Sequence, residues 1–176
     1  MKVTTKVLIV ILLLFTLGLF ASNIFLKKEY EKIDKSDIYW TYEKILQQPF
    51  KHLVIEGGNI TKIAYEQNKN ASVGVFKGWN GYKNGAVKAF VKNDTLFLKV
   101  SNHYQDKYEK NWLNSNTMVR IFSPALLSVK GVDTRLEMFK LNQKSISVSM
   151  SGRSGFEVET VNTYFDSINI TAKDSS

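Results

Sequence analysis

Serine and glutamate side chains in the last third of the sequence are the first whose types and spacing could do chemistry. Glu157 and Glu159 stand two positions apart, as paired acid and base carboxylates can. On an exposed strand, however, such carboxylates more often oppose lysines of a neighbouring strand. Serines on the solvent face of a strand are far commoner than nucleophiles, and the sequence lacks the Gly-x-Ser-x-Gly elbow of α/β-hydrolases. We therefore predict that the chain is not an enzyme and has no catalytic residue. The serines in question alternate with apolar residues: Ser145, Ser147, Ser149 and Ser151.

The sequence also lacks the residue patterns that bind metals and cofactors. The sequence has no cysteine, which excludes disulfides and thiolate ligands. His52 and His103 are about fifty residues apart, without a carboxylate cluster beside either. Gly57-Gly58 lacks the Gly-x-Gly-x-x-Gly spacing of a phosphate-binding loop. We expect no metal and no cofactor.

The charge distribution argues against nucleic acid as a partner. Four of the 24 basic residues flank an N-terminal apolar run, which leaves 20 against 16 acidic residues, a net charge of +4. These charges are spread over many segments, whereas nucleic-acid binders concentrate them in a stripe or a motif. The sequence predicts a solvated, mildly basic surface, with weak attraction to an anionic membrane as the alternative.

Aromatic residues in two polar segments, Phe76–Tyr82 and Tyr104–Trp112, are the candidates for partner contact. Rigid aromatic rings supply contact area at low entropic cost. The predicted partner is an envelope protein or a carbohydrate, and local packing between hairpin arms is the alternative interpretation. The candidate contact residues are Trp79, Tyr82, Tyr104, Tyr108 and Trp112.

Alternating apolar and polar residues predict the strands that would position these side chains. Ile146, Val148 and Met150 alternate with the serine row, so one face of this strand should be buried and the other hydroxyl-bearing. Val87–Val91 and Leu96–Val100 flank Asn93-Asp94 and are typical of a hairpin.

The N-terminal segment predicts a membrane-spanning helix. Val7–Leu26 holds about twenty residues without a charge, enough to cross a hydrocarbon core of about 30 Å. Lys2 and Lys6 precede it, which favours a cytoplasmic N-terminus with the rest of the chain outside. A cleaved signal peptide is the alternative, although a cut after Ala21 would leave Leu19 at a position that prefers small residues.

These boundaries divide the chain into three parts: residues 1–26 as anchor or signal, residues 27–48 as a juxtamembrane linker or cap, and residues 49–176 as a β domain. Within the linker, Ile38, Tyr42, Ile45 and Leu46 follow helical spacing, which predicts a short amphipathic helix. It would rest at the membrane interface or cover the end of the β domain.

A faint internal repeat suggests how the β domain is built. Val129 and Gly131 follow Leu127 as Met150 and Gly152 follow Val148, a shift of 21 residues; Ile170 follows Val148 at a shift of 22. A period in this range is typical of a β-solenoid whose coils stack their apolar faces, and a sandwich with chance alternation is the alternative.

Four segments carry a family resemblance: FKHLVIEGGNITKIAYEQ, VKNDTLFLKV, VRIFSPALLSVKG and SVSMSGRSGFEV. In their order and texture they resemble the auto-transporter adhesin "head GIN" domains of bacterial envelope proteins, over about three quarters of the chain. The resemblance implies an all-β fold, a right-handed parallel β-helix behind a signal or anchor. It implies no catalytic residue.

Together these patterns predict a non-enzymatic cell-envelope protein that serves adhesion or scaffolding through a β-helical domain outside the cytoplasm. The alternative is a sensory or regulatory subunit of an envelope complex that works through a membrane partner. A cleaved signal would instead leave the domain secreted or periplasmic. The strand Ile168–Ala172 lies close to the end of the sequence, and we expect self-association through that open last coil.

Overall fold

The structure is a computed structural model that describes residues 3–159, 161 and 163–173, and it divides into two compact units. Lys2, one of the predicted flanking charges, lies outside the described residues. The first unit, Met1–Trp40, holds helix α1, Val3–Glu31. None of its residues is buried, and its 29 residues span about 43 Å at 1.5 Å per residue. By length and composition α1 is able to cross a membrane, a property that signal sequences share.

The second unit, Thr41–Ser176, contains twelve strands and two helices among its described residues. In chain order they are β1 Tyr42–Leu46, β2 His52–Gly57, β3 Lys62–Gln67, β4 Ser72–Phe76, α2 Asn80–Lys83, β5 Val87–Lys92, β6 Thr95–Val100, α3 Lys107–Ser115, β7 Thr117–Ser123, β8 Ser128–Val132, β9 Arg135–Phe139, β10 Ser145–Ser151, β11 Gly155–Val158 and β12 Ser167–Lys173.

The strands form two six-stranded mixed sheets. The first has the order β1-β4-β7-β3-β9-β11 and the second the order β12-β10-β8-β2-β6-β5. With the helices this is a mixed α/β fold, so the predicted all-β parallel β-helix or solenoid is wrong. The physical reason lies in the strand order, because β2 is inserted between β6 and β8, and in antiparallel pairings that coil stacking does not have. Those pairings are β1 with β4, β4 with β7, and β5 with β6.

Of the two sequence shifts in the predicted repeat, the structure confirms one and changes the other. Val148 of β10 lies opposite Ile170 of β12, which confirms the shift of 22 residues. On the other side Val148 lies opposite Val129 rather than Leu127, so that shift is 19 residues instead of 21. The two-residue error leaves side-chain parity unchanged, because side chains alternate with a period of two.

One hydrophobic cluster receives side chains from both sheets. Ile146, Val148 and Met150 are all buried, as their alternation with serines predicts. The inward rows of the central strands also belong to this cluster: Leu53, Ile55, Ile63, Tyr65, Leu96, Leu98, Ile121, Val129, Leu136 and Met138. At the β12 end the packing thins, and Ile170 is 58% exposed.

Two turns depend on backbone with positive φ. The predicted hairpin is confirmed as β5 and β6, with Asn93 and Asp94 at φ 50° and 56°, the conformation that two-residue hairpin turns require. After β2 the chain passes close to β6, and a Cβ on Gly57 (φ 81°) would lie 2.0 Å from the Val100 carbonyl oxygen. Only glycine fits there.

The amphipathic helix predicted within residues 27–48 is wrong. Tyr42–Leu46 form β1, an edge strand that pairs antiparallel with β4. The Tyr42 hydroxyl donates to the Thr117 carbonyl oxygen at 2.8 Å, which ties this strand to β7. Ile38, assigned to the same helical face, is exposed. The apolar residues follow helical spacing by coincidence, and sheet pairing decides their structure.

Tyr65 places a phenol inside the core. Its hydroxyl lies 3.0 Å from the Ser123 hydroxyl oxygen, and burial raises the pKa of Tyr65 from 10.0 to about 12, an effect that the hydrogen bond to Ser123 only partly offsets. The folded protein therefore holds this proton more tightly than the unfolded chain.

We expect the Tyr65 phenol to stabilise the fold below pH 10 and to lose that contribution between pH 10 and 12, because the unfolded chain ionises first. The loss should be roughly 2–3 kcal/mol, at about 1.4 kcal/mol per pKa unit. Chemical denaturation of the detergent-solubilised chain across this range, compared with Tyr65→Phe, isolates the effect from lysine titration, which both proteins share. Equal decline in the two proteins would contradict it.

Candidate functional site

Two connections on the β unit meet to form an aromatic cleft. One follows β4 and contains the short helix α2, and the other follows β6 and contains α3. These are the two polar, aromatic segments that the sequence marks for partner contact. The cleft has a volume of about 320 Å³. It is lined by Gly78, Trp79, Asn80, Gln105, Asp106, Tyr108, Glu109 and Trp112.

Trp79 forms the floor of the cleft and is a structural residue. Its side chain is 2% exposed and belongs to the hydrophobic cluster. The backbone turns tightly around it, because its N–H donates to the Phe76 carbonyl oxygen at 3.1 Å and its own carbonyl oxygen accepts from Tyr82 at 3.1 Å. Gly81 is needed here, since a Cβ would lie 2.5 Å from the indole nitrogen of Trp79.

Helix α3 forms the wall. Asp106 is its N-cap, with Oδ1 accepting from the Glu109 N–H at 2.8 Å, and Glu109 Oε2 accepts in turn from the Gln105 N–H at 2.5 Å. An acidic cap followed three residues later by glutamate is a recognised helix start. Leu113 is the buried residue of this helix and belongs to the hydrophobic cluster, so it holds α3 against the β unit.

Tyr108 and Trp112 stand one helical turn apart, so they project from the same face of α3. Trp112 is half-buried, and its ring packs on Phe76 with the centroids 6.2 Å apart at 53°. Tyr108 is 81% exposed. The cleft therefore combines one aromatic ring that is fixed by packing with one that is largely exposed.

The polar groups of the cleft are mainly acceptors. Within the described part of the chain, Asp106 Oδ2 and Glu109 Oε1 accept no hydrogen bond, because the caps use the other oxygen of each carboxylate. Asn80 and Gln105 add amide donors and acceptors. Apolar rings beside a few convergent polar groups are the usual composition of a small-molecule site.

The five aromatic residues predicted from the sequence separate into two groups. Trp79, Tyr108 and Trp112 line the cleft. Tyr82 is half-buried against the hydrophobic cluster, and Tyr104 lies outside the cleft with the Lys110 ammonium 5.2 Å from its ring centroid. The carboxylates Asp106 and Glu109 were not among the predicted contact residues, although their cap spacing predicts both the helix and the position of its first turn.

The residues weighed for catalysis lie elsewhere. Glu157 lies opposite Glu137 in the first sheet, so the expected lysine neighbour is wrong. His52 Nδ1 lies 2.7 Å from the Ser128 hydroxyl oxygen. Among the described residues no group of three or more potential metal ligands comes together.

No protein-family model matches the sequence, and no curated protein matches it. The resemblance to head GIN domains therefore stays a prediction. Several solved structures are similar. A "putative adhesin" from Bacteroides fragilis shares 13% identity, with 75% of each chain covered and a TM-score of 0.46. A "putative lipid binding protein" from Parabacteroides distasonis shares 12% identity over 74% of this chain and 61% of its own, with a TM-score of 0.41.

A further "putative adhesin", from Parabacteroides merdae, shares 14% identity over 66% of this chain and 55% of its own, with a TM-score of 0.37. None of the three is named as an enzyme. The likenesses are partial and distant, and they assign no function to this chain.

The two aromatic roles predict different costs of truncation. Trp79→Ala should destabilise the β unit by roughly 3–5 kcal/mol, because it empties a buried site. Tyr108→Ala should change the free energy of unfolding by about 0.5 kcal/mol or less, since its ring is exposed. Chemical denaturation followed by tryptophan fluorescence measures both. A large loss of unfolding free energy in Tyr108→Ala would mean that the tyrosine ring packs on the protein and is not exposed.

Proposed function

We propose that this chain is a non-enzymatic cell-envelope protein that α1 anchors in the membrane as a single pass, with the β unit outside the cytoplasm. The observation that carries this proposal is the exposed apolar surface of α1 along Val7–Leu26. Exposing such a surface to water costs about 25 cal/mol for each Å², and this cost is absent when the surface contacts lipid chains. Lys6 before the apolar run favours the stated orientation.

We further propose that the β unit serves adhesion or scaffolding by binding a carbohydrate in the aromatic cleft. A sugar ring presents a C–H face that packs on an aromatic ring and hydroxyls that donate to carboxylate oxygens. Tyr108 and Trp112 supply the rings, and Asp106 and Glu109 supply the acceptors. Because Trp112 is already fixed against Phe76, only Tyr108 must be ordered on binding, which keeps the entropic cost low.

The anchor predicts that the native chain stays with membranes through an alkaline carbonate wash. N-terminal sequencing of the mature protein should find the segment Val7–Leu26 still attached. A mature protein that begins near residue 22 would contradict the anchor and leave a cleaved signal. Leu13→Arg provides a second check, since a charge at the centre of the span costs about 3 kcal/mol and should reduce insertion.

The cleft predicts binding of the purified full chain to members of a glycan array, and weaker binding by Tyr108→Ala. Loss of at least about tenfold in affinity is expected, as for an aromatic residue central to a contact. Tyr104→Ala is the matched control, because it removes an exposed tyrosine that lies outside the cleft. If no glycan binds, or if both variants bind equally, the carbohydrate proposal is wrong. If a protein binds the native chain and Tyr104→Ala but not Tyr108→Ala, the cleft binds a protein and not a carbohydrate.

A further inference from the structure

The outer face of the second sheet combines an apolar strip with unneutralised lysines. Register aligns Phe90 of β5 with Phe97 of β6, then Val54 of β2, then Lys130 of β8. The two phenylalanine rings are stacked, with centroids 5.1 Å apart and planes within 13°. Phe90 is 55% exposed although it stands in a strand. We call this face, from β5 to β8, the basic face.

Lysines border the strip on both sides. Lys88 and Lys99 lie directly opposite each other on β5 and β6, and Lys92 lies at the other side of Phe90. Of the lysines on this face, Lys99 has an ion pair, to Glu56 at 3.6 Å. Within the described residues, Lys88, Lys92 and Lys130 have no carboxylate within ion-pair distance.

The first sheet is built differently. Two of its outward carboxylates are paired with neighbouring cations, Glu66 with Lys140 at 2.8 Å and Glu137 with Lys62 at 3.0 Å. The second pair offsets the like charge of Glu157, which lies directly opposite Glu137. Like charges directly opposite each other across a strand pair destabilise a sheet, and on the basic face Lys88 and Lys99 are so placed, with Glu56 paired to Lys99 and no carboxylate paired to Lys88 among the described residues. An exposed stacked phenylalanine pair also contributes less to folding than a buried one would. Neither feature of the basic face is explained by the stability of the fold.

We propose that the basic face docks on an anionic lipid bilayer surface. Charge complementarity identifies the occupant, since lysines near a membrane surface are attracted to anionic headgroups and apolar rings enter the boundary between headgroups and acyl chains. The proposal rests on the proposed anchor, because a membrane-inserted α1 keeps the β unit within reach of that surface at a high effective concentration. Docking would set which surfaces of the β unit, the aromatic cleft included, stay available to partners.

The test uses the full chain in proteoliposomes. Since the sequence has no cysteine, Thr95→Cys on the basic face carries a single polarity-sensitive fluorophore. Lys69→Cys, at an exposed position after β3 and outside this face, carries the same label as the reference. In vesicles with phosphatidylglycerol the label at 95 should shift toward the emission of an apolar environment, and in pure phosphatidylcholine it should not. About 1 M NaCl should reverse the shift, because it reduces the screening length to about 3 Å.

A triple variant K88Q/K92Q/K130Q should lower the docked-to-undocked ratio by at least about tenfold, since each lysine near an anionic surface contributes roughly fivefold. The control K69Q/K83Q/K107Q removes three exposed lysines outside this face and has the same net charge as the first triple variant. Phe90→Ser should weaken docking without abolishing its salt dependence.

Three outcomes would overturn the proposal. First, the emission of the label at 95 could be the same with and without phosphatidylglycerol. Second, the two triple variants could show the same docked-to-undocked ratio. Third, a soluble polyanion could shift the emission where anionic vesicles do not, which would make a polymer the partner. Flotation with phosphatidylcholine vesicles reports α1 insertion separately. Failure of the anchor is therefore distinguished from failure of the basic face.

Discussion

The β unit depends on apolar rows that two mixed sheets turn toward a single hydrophobic cluster. Leu53 and Ile55 of β2 contribute from the second sheet, and Ile63 and Tyr65 of β3 from the first, all of them fully or almost fully buried. The chain has no cysteine to close a disulfide, so burial in this cluster offsets the conformational entropy of folding without a covalent cross-link. The outward rows can then differ between the sheets. The first pairs Glu66 and Glu137 with cations, and the second carries the basic face, where Lys99 is paired with Glu56.

Much of the local structure could be predicted from the sequence, because a period of two reports burial directly. The burial of Ile146, Val148 and Met150 and the hairpin at Asn93-Asp94 follow from alternation and turn chemistry alone. The order of strands could not be predicted in this way. Alternation shows which face of a strand is buried but does not show which strand lies beside it. The repeat between β10 and β12 therefore predicted a solenoid for the whole β unit, which is wrong.

The candidate site was predictable in part for the same reason. Aromatic residues among polar ones mark exposed segments, and three of the five lie together in the cleft. Which of these rings is buried depends on tertiary packing. Trp79 and Tyr108 both stand among polar residues in the sequence, yet Trp79 is 2% exposed and Tyr108 is 81% exposed. The cap spacing of Asp106 and Glu109 predicts the helix around Tyr108, and the prediction based on aromatic residues alone left out both carboxylates.

The position of β2 bears on how the chain is made. His52 lies beside Thr95 and Ser128, residues 43 and 76 positions further along the chain. During synthesis from the N-terminus, this central strand leaves the ribosome long before either neighbour exists, and both of its edges stay open meanwhile. Pairing across such separations is slow, and unpaired strands of this kind are prone to associate with other chains. The second sheet can therefore close around β2 only after β8 has been translated.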